Sequence, residues 1–148
     1  MYEFLYYRVR DAMTAEPVVI SAQAPLRAVE SLFEAHDFNG LPVVESGGRL
    51  VGMITKLDLL KAFTFTPESI IPPYETIMGQ PAGRFMIPDP ETVGPDLPLT
   101  RVLQKMIDTR FKSFPVVEND RLVGIVARED IMRALRRAVA GEKPPTSA

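Results

Sequence analysis

A long internal repeat constrains the fold of this 148-residue chain more than any other feature. Residues 41–60 read LPVVESGGRLVGMITKLDLL, and residues 114–132 read FPVVENDRLVGIVAREDIM. Matching residues before the variable turn are 73 positions apart, as in the pairs Met13 and Met86, Leu26 and Leu99, and Pro42 and Pro115. After the turn the separation is 72 positions, as between Asp58 and Asp130, so the copies differ by one loop residue. The chain therefore contains two copies of one structural unit.

Each copy predicts a β-hairpin followed by a helix. An apolar run, a polar turn and a second β-branched run are typical of two antiparallel strands joined by a tight turn. The second run ends at Thr55 in one copy and at Ala127 in the other, where the spacing of apolar residues becomes helical. Asp58 and Asp130 fall in the first turn of these helices, where free backbone N–H groups and the helix dipole favour a carboxylate.

Two further helices are predicted to begin behind Pro25 and Pro98, because proline is favoured at the start of a helix. The second of them places its apolar residues at helical spacing on one face: Leu99, Val102, Leu103, Met106 and Ile107. Such a face must cover a sheet, so it indicates hydrophobic core rather than a cofactor site. Between the copies, a proline-rich linker is predicted to contain a short helix at 74–78.

The composition excludes several classes of function. A net charge of −2 argues against a nucleic-acid partner, because non-specific binding to nucleic acid requires clustered cations. Without cysteine, the chain can form no disulfide, thiolate nucleophile or cysteine-based metal site. No apolar run approaches the length of a membrane span or a signal peptide, so we expect a cytoplasmic protein with no membrane partner.

The ordered elements of each copy resemble the cystathionine-β-synthase (CBS) domain. The resemblance is carried by the proline-led helix, the L/F-P-V-V strand, the V-G strand and the T-x-x-D or A-x-x-D helix start. Two tandem copies resemble a stand-alone Bateman module, which implies a mixed α/β fold of the α+β type. Its two β-α-β-β-α repeats are expected to pack with pseudo-twofold symmetry. The implied boundaries are repeat 1 at 8–63, a linker at 64–82, repeat 2 at 83–138 and a disordered tail at 139–148.

The resemblance also implies two clefts between the repeats that bind adenosine-containing ligands such as AMP, ADP, ATP or S-adenosylmethionine. The aspartate at the helix start would accept the ribose hydroxyls, and the hydroxyl three residues earlier would face ribose or phosphate. The first cleft is expected to contain Thr55, Asp58, Arg84, Glu91 (through its backbone), Lys112 and Ser113. The second is expected to contain Val18, Asn39, Gly40, Ala127 and Asp130. No metal and no obligatory cofactor is implied.

The chemistry of these residues leaves alternatives open. A carboxylate can accept both hydrogen bonds of a vicinal diol, but Thr55 and Asp58 are also spaced as a capping box. Ala127 cannot cap through its side chain, although Asp130 keeps its place in the second copy. Lys112, near a helix end, can instead complement the helix dipole. Arg84 can equally be a solvated side chain on a short helix.

Other polar and glycine residues have structural interpretations. Cations on the closing helix, Arg133, Arg136 and Arg137, are interpreted as complementing its C-terminal end, with a partner-binding patch as the alternative. His36 stands alone, without the nucleophile or metal ligands that a catalytic site requires. Gly52 and Gly124 are predicted to allow close approach of backbone within the paired strands.

Two functions are compatible with these features. One is a non-catalytic regulatory module that senses a nucleotide and acts on an unidentified client protein; the other is a structural dimerisation module with empty or vestigial clefts. No paired acid and base, nucleophile or metal cluster indicates an enzyme. We expect a homodimer formed by apolar residues of the terminal helices: Leu59, Leu60, Phe63, Ile131, Met132 and Leu135. We also expect tighter nucleotide binding at Asp58 than at Asp130, because Ala127 lacks a hydroxyl and Asn39-Gly40 replaces Lys112-Ser113.

Overall fold

The computed structural model of the chain describes residues 2–64, 67 and 73–145. Part of the predicted linker between the two copies, at 65–66 and 68–72, lies outside the described residues, as does the end of the predicted tail at 146–148. The chain divides into two compact units. Unit 1 consists of Met1–Pro17 and Glu91–Ala148, and unit 2 consists of Val18–Pro90.

The described elements follow the predicted order. The helices are α1 (Val9–Ala12), α2 (Leu26–Ala35), α3 (Lys56–Lys61), α4 (Tyr74–Met78), α5 (Leu99–Thr109) and α6 (Arg128–Val139). The strands are β1 (Thr14–Ala15), β2 (Ile20–Ser21), β3 (Gly40–Val44), β4 (Leu50–Thr55), β5 (Ile87–Pro88), β6 (Ser113–Glu118) and β7 (Arg121–Ala127). Short 3-10 helices lie at Tyr2–Tyr6, Ser46–Gly48 and Ala82–Arg84. The helices predicted behind Pro25 and Pro98 and within the linker are confirmed.

Unit 2 is built on a sheet with the strand order β2-β3-β4-β5. The β3-β4 hairpin is antiparallel, and β2 pairs with β3 in parallel. Helix α2 buries Leu26, Val29 and Phe33 in the core, as its apolar spacing predicts. Each of these side chains contributes about 1.5–3 kcal/mol of burial free energy before conformational entropy is subtracted. Helix α2 thus packs on the sheet that contains β4. Because α3 begins directly after β4, this packed sheet fixes the position where α3 starts.

Unit 1 repeats this arrangement with the strand order β1-β7-β6. A parallel bridge from Val93 to Val116 takes the place that β2 has in unit 2. Helix α5 buries Leu99, Val102 and Met106 against the core. The repetition of the same helix and sheet order confirms the predicted mixed α/β class with two repeats.

The chain ends of unit 1 are packed on its body. Phe4 and Tyr7 belong to the core, so the aromatic N-terminal segment is anchored there. The Tyr7 hydroxyl donates a hydrogen bond of 3.0 Å to the backbone carbonyl of Glu142, and Pro144 is buried. Within the predicted disordered tail, Glu142 and Pro144 are therefore packed on the rest of unit 1.

The two hairpin turns absorb the difference in length between the copies. In the β6-β7 turn, Asn119 and Asp120 both have positive φ, at 53° and 63°, which is the backbone that a tight two-residue hairpin requires. In the β3-β4 turn, Gly47 and Gly48 have φ of 84° and 81°. Glycine adopts this conformation without a steric penalty, so the longer turn is accommodated.

The compact units do not coincide with the copies in the sequence. Strand β1 lies near the start of the first copy but pairs antiparallel with β7 of the second. Strand β5 lies near the start of the second copy but pairs antiparallel with β4 of the first. Each hairpin therefore receives its outer strand from the beginning of the other copy.

Glycine makes this strand exchange possible. A Cβ atom on Gly52 would overlap Met86 Sδ and would lie 2.9 Å from the carbonyl oxygen of Ile87. A Cβ atom on Gly124 would lie 2.7 Å from Met13 Sδ and 2.9 Å from a backbone carbonyl oxygen on β1. These separations are too short for a side chain, so the predicted close approach at both glycines is confirmed.

Candidate functional site

The two helix-start aspartates are buried in equivalent places of the two units. Asp58 is 5% exposed at the third position of α3, and Asp130 is 4% exposed at the third position of α6. Each helix follows directly on a strand, β4 or β7, so the sheet fixes the position of its first turn. A buried carboxylate is costly unless hydrogen bonds compensate for its lost hydration. The partners of these two groups therefore define what each can bind.

Asp58 is held by Thr55 in a capping box. One carboxylate oxygen, Oδ2, accepts hydrogen bonds from the backbone N–H and from the hydroxyl of Thr55, each at 2.8 Å. The Thr55 hydroxyl in turn accepts a bond of 3.2 Å from the backbone N–H of Asp58. The capping interpretation is confirmed. Among the described residues, nothing donates to the other oxygen, Oδ1, of Asp58.

Asp130 has the same backbone anchor but different side-chain partners. Its Oδ2 accepts a hydrogen bond of 2.7 Å from the backbone N–H of Ala127. Its Oδ1 accepts from the guanidinium of Arg133, with which it forms an ion pair, and from the Thr14 hydroxyl at 3.5 Å. Burial raises the pKa of the Asp130 carboxyl, while the Ala127 hydrogen bond, the charge of Arg133 and the Thr14 hydroxyl oppose that shift.

Neither Thr14 nor Arg133 was among the site residues suggested by the sequence. Arg133 lies one helical turn after Asp130, a spacing at which oppositely charged side chains meet, and that spacing was the available signal. Thr14 lies on β1 and approaches Asp130 only because of the strand exchange, so it left no local signal. The equivalent positions in unit 2 are Lys61 and Ile87, which cannot both reproduce these contacts because isoleucine has no donor.

The other predicted residues of unit 2 lie at two places. Gly40 pairs with Thr55 across the β3-β4 ladder and follows half-buried Asn39, so these residues adjoin the Asp58 helix start. Val18 is exposed on the segment before β2. Arg84 is an exposed side chain whose Nη1 donates a hydrogen bond of 2.5 Å to Gln80 Oε1.

The predicted residues of unit 1 are arranged in a related way. Ser113 pairs with Ala127 across the β6-β7 ladder, as Gly40 pairs with Thr55 in unit 2. The carbonyl of exposed Lys112 accepts a hydrogen bond of 3.1 Å from the backbone N–H of Arg128, at the start of α6.

Glu91 lies apart from this group in its contacts. Its side chain is exposed and accepts a hydrogen bond of 2.5 Å from Lys105 Nζ, an ion pair with α5. Its side chain is thus engaged with α5, while the family resemblance implies a ligand contact through its backbone only. Each predicted cleft draws residues from both units, so the assembly of either cleft stays a prediction.

Two features that other classes of protein require are lacking in the described residues. None of the helices in those residues is long and apolar enough to cross a membrane. Nor does the described part of the chain bring three or more His, Asp or Glu side chains together in a way that could hold a metal ion.

The duplicated arrangement identifies the family. A sequence model of the CBS domain matches residues 9–64 and again residues 82–137. The chain belongs to the CBS domain family. The two matched segments contain both helix-start aspartates, and the resemblance stated from the sequence is confirmed.

Several known CBS proteins are similar to this chain over most of its length. The CBS domain-containing protein YhcV from Bacillus subtilis is 29% identical over 83% of this chain and 81% of its own length. The structure of CBSX2, a CBS-pair protein from Arabidopsis thaliana, in complex with AMP has a TM-score of 0.77 at 26% identity and covers 90% of this chain and 98% of its own. The CBS domain pair of protein MJ0100, in complex with 5′-methylthioadenosine and S-adenosyl-L-methionine, has a TM-score of 0.72 at 27% identity, covering 90% and 98%.

Some relatives are much longer enzymes. This chain is 28% identical to the A-adding tRNA nucleotidyltransferase of Aquifex aeolicus but spans only 15% of its length. It spans 22% of the L-aspartate semialdehyde sulfurtransferase of Methanocaldococcus jannaschii, at 32% identity. The similarity to these proteins therefore concerns a small part of each.

Proposed function

We propose that this CBS pair is a non-catalytic regulatory module that binds an adenosine-containing ligand, an adenine nucleotide or S-adenosylmethionine. The observation that carries the proposal is the pair of buried aspartates, Asp58 and Asp130, each anchored by a backbone N–H at an equivalent helix start. Similar CBS pairs have been solved with AMP and with S-adenosyl-L-methionine, which supports this class of ligand.

The chemistry of a ribose suits such a carboxylate. The two ribose hydroxyls are donors on adjacent carbons, and an ionised carboxylate accepts hydrogen bonds on both oxygens. In Asp58 the backbone N–H and hydroxyl of Thr55 fix the group through Oδ2 and leave Oδ1 for the ligand. A hydrogen bond to a charged group contributes about 1.5–3 kcal/mol, so two of them suffice to select a diol.

Two sets of residues would complete the sites. The first consists of Thr55, Asp58, Arg84, the backbone of Glu91, Lys112 and Ser113, and the second consists of Val18, Asn39, Gly40, Ala127 and Asp130. Lys112 and Arg84 are exposed cations that would neutralise a phosphate of a nucleotide in the first set. Because each set combines residues of both units, ligand binding would couple the two units, and a conformational or oligomeric change would carry the signal to a client protein.

We propose no catalytic role for the chain. Its resemblance to enzymes is confined to 15% and 22% of the two longer relatives, the part that corresponds to the CBS pair. The buried carboxylates are engaged in capping and ion pairing rather than paired with a nucleophile or a base. Incubation with ATP should therefore give no hydrolysis above background.

A thermal-shift and calorimetric screen tests the binding proposal. AMP, ADP, ATP, S-adenosylmethionine and 5′-methylthioadenosine would be compared with GTP and with ribose-free adenine. A ligand at about one hundred times its dissociation constant should stabilise the fold by about 2.7 kcal/mol. The double variant Asp58→Asn/Asp130→Asn should lose this effect. Stabilisation by no adenosine compound, or stabilisation that the double variant retains, would contradict the proposal.

A second candidate function, dimerisation, is favoured by an apolar groove on unit 1. The groove has a volume of about 410 Å³ and lies between α5 and α6, lined by Leu103, Met106, Ile107, Ile131, Met132 and Leu135, with Arg110 and Arg128 at its edge. Ile107 is 62% exposed and Met132 is 51% exposed. An apolar surface of this kind supports a homodimer in which a second copy covers the groove.

The residues expected in the dimer interface differ in their exposure. Leu60 and Met132 are exposed, as an interface residue must be in the isolated chain. Ile131 is buried in the core of unit 1, since it occupies the inner face of α6, and the expectation that it is exposed is therefore wrong. Ile107, which the sequence analysis assigned to the core, is exposed and takes a place in the groove.

A further inference from the structure

The two aspartates differ in the state of the oxygen that a ribose would use. In unit 2, Asp58 Oδ1 has no donor among the residues that the structure describes. In unit 1, the equivalent oxygen of Asp130 already accepts from Arg133 and from Thr14. The backbone anchor is the same in both, so the difference at this oxygen lies in the side chains of Arg133 and Thr14.

We propose that Arg133 is an internal competitor that occupies the ribose-binding oxygen of Asp130 and must leave before an adenosine ligand can bind there. The proposal rests on the proposed function of the module. It makes Arg133 a regulator of one site rather than a contact that strengthens it.

The position of Arg133 fits a group that can move aside. Its side chain is 56% exposed, whereas Asp130 is 4% exposed. Because most of the guanidinium of Arg133 remains in water while one of its nitrogens contacts Asp130, it has little hydration to regain. Breaking this contact therefore costs Arg133 little free energy. Arg133 lies three residues after Asp130 on α6 and needs only a rotamer change, not a change of backbone, to release the carboxylate.

The environment of Asp130 explains why a competitor is needed. The Thr55 hydroxyl helps to satisfy Asp58, but Ala127 offers Asp130 no side-chain donor. Burial opposes ionisation of the Asp130 carboxyl and raises its pKa, so an ionised Asp130 requires another partner when no ligand is bound. Arg133 supplies that partner with a full charge, and Thr14 supplies a weaker contact at 3.5 Å. A ribose diol would replace both.

The repeat provides a matched control. Lys61 is the equivalent of Arg133, three residues after Asp58, and its side chain makes no ion pair with that carboxylate among the described residues. Removing the cation at position 133 should therefore change ligand affinity, and removing it at position 61 should not.

The experiment measures AMP and adenosine binding by calorimetry at each site in turn. For the Asp130 site, the background Asp58→Asn silences the other site, and Arg133→Gln is added to it. For the matched control at the Asp58 site, Asp130→Asn is the background and Lys61→Gln is added to it. Arg133→Gln should tighten binding of both compounds by about threefold to tenfold. This range lies between the change in affinity expected for losing an exposed ion pair and that for losing a hydrogen bond to a buried charge. Lys61→Gln should leave both affinities unchanged.

Comparing adenosine with AMP distinguishes two roles of Arg133: a competitor for Asp130 and an ordinary contact with the ligand phosphate. If Arg133 binds the phosphate, Arg133→Gln will weaken AMP and leave adenosine unchanged, which would overturn the inference. Equal affinities before and after Arg133→Gln would overturn it as well while leaving the proposed function intact. Absence of binding in the wild type and in every variant would overturn both. If Asp58→Asn fails to fold by thermal melting, the same substitutions are compared in the wild-type background with a two-site fit.

Discussion

Asp58 accepts two hydrogen bonds from Thr55 on a single carboxylate oxygen, each 2.8 Å long. Under the proposed function, this relationship serves both a structural and a binding role in one pair of residues. The hydroxyl closes the first turn of α3 and at the same time orients the carboxylate, so that its second oxygen is available. Asp130 lacks this partner because the equivalent residue is Ala127. The role of the hydroxyl can therefore be tested by removing it from the start of α3 and by adding it at the start of α6.

Thr55→Ala should destabilise the protein by about 0.5–2 kcal/mol, because it removes a helix cap and one donor to a buried carboxylate. Ala127→Thr should have the opposite sign, since it adds the missing cap to α6. Both effects are measured as changes in the free energy of unfolding in urea. A Thr55→Ala variant as stable as the wild type would show that the hydroxyl does not stabilise α3.

Asp58→Ala should abolish most of the thermal stabilisation by an adenine nucleotide, whereas Asp130→Ala should leave most of it. In the proposed sites, Asp58 has a carboxylate oxygen without a donor among the described residues, whereas Asp130 would first have to lose its ion pair with Arg133. A difference of one hydrogen bond to a charged group corresponds to about tenfold or more in affinity. Calorimetry that finds two equal sites per chain, or a greater loss with Asp130→Ala, would reverse the ranking.

Asp130 should make stability depend on pH in a defined direction. Its pKa is raised in the folded protein, chiefly by burial, so the folded state holds this proton more tightly than the unfolded chain. Ionisation of Asp130 therefore lowers the free energy of unfolding as the pH rises from the unfolded pKa of about 3.9 through the raised folded pKa.

The isosteric variant Asp130→Asn tests this direction, because it cannot ionise. The free energy of unfolding of the variant minus that of the wild type should increase with pH across this interval and become constant above it. Urea titrations at a series of pH values measure the difference. A difference that stays the same at every pH would mean that burial does not perturb Asp130 in this way.

Gly52→Ala should destabilise unit 2 by about 1–3 kcal/mol, the usual range for overpacking. The new methyl group would meet the Met86 sulfur, which can move, and the Ile87 carbonyl oxygen at 2.9 Å, which belongs to β5 and cannot move without disturbing its pairing. Gly94→Ala is the control, since nothing lies within 4 Å of its Cβ position. Equal stability of the two variants in chemical unfolding would show that β5 yields at this point.

Met132→Glu should dissociate the proposed homodimer without unfolding the chain. Met132 is half exposed on the groove of unit 1. A carboxylate there would lose its hydration in a dimer, at a cost that an ion pair with Arg128 at the groove edge does not recover, but it would stay solvated in a monomer. Sedimentation at a protein concentration of about 50 μM reports the mass. This concentration is well above the dissociation constant of about 1 μM that a specific dimer of modest affinity would have. An exposed site elsewhere, Arg121→Gln on β7, makes the same change in net charge and serves as the control. A wild-type chain that sediments as a monomer would remove the dimer proposal.

The sequence predicted the elements whose pattern is local. Helical spacing behind Pro25 and Pro98 located α2 and α5, and the turn at Asn119-Asp120 located the second hairpin. The strand exchange was not predicted, because β1 and β5 are two residues long and carry no periodicity. Their partners are decided by packing between distant parts of the chain.

The same reason limits the prediction of the site. The capping box at Thr55 and Asp58 is a local pattern and was recognised in the sequence. Arg133 was assigned to the helix dipole because its position on α6 admits that interpretation, and only the geometry reveals its ion pair with Asp130. Thr14 is more than one hundred residues from Asp130 in sequence. Contacts of this kind are fixed by the tertiary fold.

The exchange of β1 and β5 bears on how a duplicated chain of this kind could have arisen. A polypeptide with a single copy would have one hairpin, and the short strand preceding it would be committed to a hairpin on another molecule. Two such molecules would have to trade strands to be complete, as in domain swapping. Joining the copies in one chain replaces that encounter between molecules with one within a molecule, at an effective concentration in the millimolar range for a short flexible connection. A duplicated gene would thus have gained independence from protein concentration before its two halves diverged.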